Sequence, residues 1–83
     1  MPVISNFNGI IIKMYYQQSE HNPPHVHAFY AGDVESIEIK TGRILEGYLP
    51  QKQDKLAKEW VSIHREELLQ MWESQQFVLI ASS

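Results

Sequence analysis

Apolar and polar positions follow two different rhythms along the 83-residue chain. Up to Leu49 the period is two. Ile10, Ile12, Met14 and Tyr16 share one parity, and Ile37 and Ile39 share another, set against Ser36, Glu38 and Lys40. Neighbouring side chains of a strand point to opposite faces, so this alternation predicts half-buried strands. Strands are expected over 3–7, 10–16, 25–31, 34–40 and 43–48, separated by Asn8-Gly9, Gly32-Asp33 and Thr41-Gly42. Asn-Gly is a strong hairpin signal, and connections this short favour antiparallel neighbours, since a parallel pair needs a long crossover. The one longer connection, residues 17–24, ends in Pro23-Pro24. Neither proline has an N–H to donate, which excludes the pair from a helix or sheet interior.

From Pro50 the period changes to about 3.6. Leu56, Trp60, Ile63, Leu68, Met71 and Trp72 fall on one arc of a helical wheel, with Lys58, Ser62, Glu66 and Glu73 opposite. No glycine or proline occurs beyond Pro50, which suits a first helical position. One long amphipathic helix over about 50–75 is expected, with room for a bend near Ser62–Ile63, and with Trp60, Leu56 and Leu68 deeply buried. The tail, residues 76–83, carries the apolar run Phe77 to Ala81. An exposed apolar strand invites aggregation, so the run should lie against a sheet edge or a second subunit. The expected fold class is α+β: one domain over 1–83, with a mostly antiparallel sheet of four to five strands (2–49) packed by one long C-terminal helix.

Size sharpens this picture. A chain of this length buries only about 60–65% of the surface its unfolded form exposes, and it has no cysteine for a disulfide or a thiolate metal site. Seven basic residues against ten acidic ones give a net charge of −3. They are spread evenly, three against five over 1–50 and four against five over 51–83. No basic stripe of the kind nucleic-acid binding leaves is present, so nucleic acid is not indicated as a partner. The opening Met1-Pro2-Val3-Ile4-Ser5 lacks a basic, then apolar, leader, and the apolar run after Gly9 is broken by Lys13. No membrane association and a cytoplasmic location are expected.

The unusual chemistry is concentrated in His21-Asn22-Pro23-Pro24-His25-Val26-His27. Strand alternation places His25 and His27 on one face, a geometry that two ligands of a divalent transition metal can use. His21, beyond the stiff proline pair, is the third metal candidate. His64 falls near the middle of the helical apolar arc, about 80° from Leu56. A buried imidazole needs a hydrogen-bond partner. A backbone carbonyl, Glu67 or a tyrosine would serve, and so would the His25–His27 face. The catalytic candidates are His25, His27, His64 and Arg65. Their sharing of one pocket depends on which face of the third strand the helix covers, since Val26, Ala28 and Tyr30 are as apolar as His25, His27 and Phe29. Ordinary strand and core histidines are the plain alternative. Named motifs fail: His-Val-His-Ala is similar to the middle of the histidine-triad nucleotide hydrolases, but their third histidine falls at Phe29. No Gly-rich phosphate loop is present.

Met1-Pro2-Val3-Ile4-Ser5, Gly9, Glu20-His21-Asn22-Pro23-Pro24-His25-Val26-His27-Ala28, Leu49-Pro50, Glu59-Trp60, His64-Arg65-Glu66-Glu67-Leu68 and Trp72 together resemble the bacterial domain-of-unknown-function 4160 family. Glu20 stands where that pattern has aspartate, and the tail from Gln75 has no counterpart in it. The resemblance implies no activity. It implies a setting: such proteins are often encoded beside a second small family, numbered 2442, in a toxin–antitoxin-like arrangement. The expected function is a protein-interaction or regulatory module with a small protein partner or self-association. The alternative is a histidine-dependent, metal-assisted phosphodiesterase or RNase-like enzyme.

Overall fold

In the computed structural model, residues 3–15, 23–77 and 79–80 are described. Asn8 and Gly9 both take left-handed backbone (φ 50° and 77°), as a two-residue hairpin turn requires, and join β1 (Val3–Phe7) to β2 (Ile10–Lys13). Beyond the Pro23-Pro24 pair come β3 (His25–Tyr30), β4 (Asp33–Glu38) and β5 (Ile44–Gly47). The sheet is a meander, β1-β2-β3-β4-β5, antiparallel throughout. The α+β class and the upper strand count expected from the sequence are both found.

Parity decides which face is covered. Ile4, Ile10, Ile12, Met14, Val26, Ala28, Ile37 and Ile39 are fully buried, and they meet Ala57, Trp60, Val61, Leu68, Met71 and Trp72 from the helices. The helical layer therefore lies on the Val26–Ala28 face of β3. The opposite parity, His25, His27 and Phe29, stays half-buried on the open face.

The single long helix is corrected to two, α1 (Gln51–Ile63) and α2 (Arg65–Ser74), joined at His64 (φ −103°, ψ 19°). The apolar arc read from the sequence covers about 180° of the wheel, wider than one straight helix can press against a sheet face. The break at His64 divides that arc between two helices. It turns Ile63 out to 71% exposure while Leu68, Met71 and Trp72 stay buried. The hydrogen bonds survive the turn, with the His64 amide donating to the Trp60 carbonyl (3.1 Å) and the Leu68 amide to the His64 carbonyl (2.9 Å). Trp60 and Leu68 are as buried as expected, whereas Leu56 is only partly so, because Ala57 and Val61 take the centre of the contact. No helix among the described residues is long and apolar enough to cross a membrane.

The tail meets a sheet edge. The Ile80 amide donates to the Ile4 carbonyl on β1, Ile80 is buried and Phe77 packs against the core, while Leu79 points outward. Val78 and Ala81, the other members of that run, lie outside the described residues.

Candidate functional site

The strand register builds the site. Residues directly opposite in an antiparallel sheet share a face. One such row crosses all five strands: Val3, Lys13, His27, Ser36 and Glu46. A second runs through Asn6, Ile11, Phe29 and Val34, and His25 stands opposite Glu38. His27 thus occupies the middle of the open face, with Lys13 on one side and Ser36 and Glu46 on the other.

Around it the rings gather. The His25 and His27 rings are 5.1 Å apart edge to face, Tyr15 lies 4.4 Å from His27, and Phe29 lies 6.4 Å beyond. The Lys13 ammonium sits 4.7 Å from the centre of the Phe29 ring, a cation–π contact. Trp72 of α2 reaches the His25 ring at 5.2 Å. Pro23, His25, His27, Ser36, Leu45 and Glu46 line a shallow open cleft of about 250 Å³.

The His25 Nδ1–H donates to the Pro23 carbonyl (2.8 Å). Pro23 is therefore more than a spacer: its carbonyl fixes the tautomer and leaves Nε2 of a neutral His25 as the acceptor. Burial and the adjacent His25 hold the His27 imidazole below its ordinary pKa, against an opposing pull from Glu46. His27 is thus neutral at pH 7, and its buried Nδ1 has no hydrogen-bond partner among the described residues.

Strand alternation holds for His25 and His27, which share a face and a cleft. His64 is not among the residues lining it. It is buried in the helical layer, its ring 4.8 Å from Trp60 and its Nδ1–H donating to the Glu67 carboxylate (2.9 Å). Glu67 was one of the partners the wheel suggested. Because the helices cover the Val26 face, the sheet stands between His64 and the pair. Arg65 is also occupied, donating from Nε to the Ile39 carbonyl (2.7 Å), where it ties the start of α2 to the end of β4. His21 lies outside the described residues. Among those described, no three histidine, cysteine or acidic side chains are grouped to hold a metal ion.

Ser36, Leu45 and Glu46 were not anticipated at this site. Their presence follows from register, which is set by pairing across β4 and β5 and shifts between Ser36 and Ile37. Residues 9–73 match a family model described as Domain of unknown function (DUF4160). No curated protein and no solved structure matches the chain.

Proposed function

The chain belongs to the DUF4160 family, and from that premise we propose that it is a small protein-binding module whose docking surface is the open face around His27. The observation that carries this reading is the cluster of half-buried rings, Tyr15, His25, His27 and Phe29, on the face opposite the main helical layer, where α2 reaches the His25 ring through Trp72. Aromatic side chains offer large contact area at small entropic cost and are enriched at interface centres. Val3 and Val34 add exposed apolar surface to the same face, at 42% and 39%. Lys13 and Glu46 flank the row with opposite charges that favour one orientation of a partner.

The partner proposed is the small protein encoded by the adjacent gene, as the family's setting suggests. Coexpression followed by calorimetric titration tests this. A 1:1 complex should form and weaken at least about tenfold when His27 and Phe29 are both replaced by alanine. Binding that ignores these changes but is lost on Ile63→Asp would move the interface to the helices.

A specific observation favours one second reading, a histidine-dependent hydrolase. A neutral His27 is poised as a base, His25 is its neighbour, and Lys13 lies next in the row. Cleavage of a simple phosphodiester that disappears in both His25→Ala and His27→Ala would establish that reading. Equal background rates in all three proteins would remove it.

A further inference from the structure

On the covered face a buried acid sits among the apolar side chains. Glu35 has the parity of Ile37, lies opposite Ala28 on β3 and Gly47 on β5, and is only 2% exposed. Its carboxyl interacts with that of Asp54 in the first turn of α1. Oε2 of Glu35 and Oδ1 of Asp54 are buried, and no N–H or hydroxyl of the described residues reaches them. Two acceptor oxygens in contact need a proton between them. The other Asp54 oxygen, Oδ2, takes the Lys58 ammonium at 3.1 Å, which leaves the proton to Glu35. The Leu49 backbone N–H also acts on the Glu35 carboxyl, so the acid is felt by the connection from β5 to α1 as well as by the helix.

We propose that a single proton shared between Glu35 and Asp54 latches the first turn of α1 to β4, and that its loss loosens the helical layer. The latch is independent of the binding reading above. Among the described residues, the charged groups that act on Glu35 come from α1, namely Asp54 and Lys58; its opposite neighbours on β3 and β5, Ala28 and Gly47, carry none. Burial is the main force raising the Glu35 carboxyl, from an ordinary 4.5 to about 7, and the hydrogen bond and charge of Asp54 add to it. Lys58 and the Leu49 amide pull the other way without reversing it.

The direction of the pH effect follows from linkage. Between 4.5 and about 7 the folded chain holds a proton that the unfolded chain has released, so stability falls as pH rises through that window. His27 titrates in the opposite sense, because its folded value is lowered, and cannot produce this slope.

Thermal melts from pH 5 to pH 8 on the full chain test the latch, together with a carbon-13 titration of the Glu35 carboxyl. The wild type should lose melting temperature across the range, with the Glu35 resonance moving at a midpoint near 7. Glu35→Gln keeps a donor toward Asp54 without a titrating group, so it should flatten the profile and melt above the wild type at pH 8. Asp54→Asn should lower the Glu35 midpoint. A Glu35 midpoint near 4.5 overturns the proposal, as does a Glu35→Gln protein that folds and keeps the wild-type slope. Should Glu35→Gln not fold, the wild-type midpoint alone decides.

Discussion

The two faces of the sheet are built from the same strands by opposite rules. The covered face is almost wholly aliphatic; Glu35 meets Asp54 and His64 donates to Glu67, while Ser5 Oγ and Trp60 Nε1 are buried with no partner among the described residues. The open face mixes half-buried rings and a half-buried lysine with a buried serine and two acids, and the buried Nδ1 of His27 has no partner among the described residues. Burying a polar group without a partner costs about 1–3 kcal/mol, so the covered face carries few of them. Water can serve the other face, which is free to spend its residues on recognition. Stability should therefore reside on one side and binding on the other.

The sharpest way to break that division is Trp60→Ala. Trp60 is 3% exposed, stacks on Phe7 at 5.8 Å and contacts His64. Removing so large a buried ring costs about 3–5 kcal/mol, enough to unfold a domain of this size, and urea titration with circular dichroism should show it. Survival of a cooperative transition near the wild-type midpoint would mean that the helices contribute far less than their burial implies.

Gly47→Ala comes next. Gly47 has φ 76°, and a methyl there would be driven into the Val34 carbonyl. The loss should exceed about 1 kcal/mol, since both the backbone and the neighbouring strand resist. On the open face the effects should shrink. His25→Ala and His27→Ala should each change the unfolding free energy by no more than about 1 kcal/mol while altering what the face binds. A loss as large as that of Trp60→Ala would make the ring cluster structural.

The smallest effect sharpens the electrostatics. His27 should titrate below 6.5 by NMR, with its midpoint partly restored upward in His25→Gln, because burial persists after the second imidazole is gone. The folded value is depressed, so this group's contribution to stability is present above 6.5 and lost as pH falls through the folded pKa. An unmoved His27 midpoint in His25→Gln would show that the two rings are not coupled.

Much of this was legible in the residues. Alternation grouped Ile10, Ile12 and Met14 on one strand and Ile37 with Ile39 on another, all buried, and the Asn8-Gly9 turn set the first hairpin. The pairing of His25 with His27 is a direct consequence of strand geometry. The choice of face was not legible, since Val26 with Ala28 and His25 with Phe29 offer similar apolar alternatives, and only the helical layer decides. The break at His64 was equally hidden: no glycine or proline marks it, and it arises from fitting two buried arcs onto one twisted sheet. Glu35 could have been noticed, because it shares the parity of Ile37 and Ile39, and a charged residue at core parity implies a partner. Asp54, as that partner, could not, because nothing local links residues so far apart in sequence.

The bond from Ile80 to Ile4 has a consequence for how the chain is made. Synthesis proceeds from the N-terminus, so β1 leaves the ribosome long before the residue that covers its outer edge. A nascent sheet can form its hairpins early, yet it displays an unpaired Ile4 backbone until Ile80 emerges. Crowded polysomes hold many such edges close together. Chaperone dependence during translation should accordingly follow the moment at which Ile80 emerges, rather than the core that dominates the finished fold.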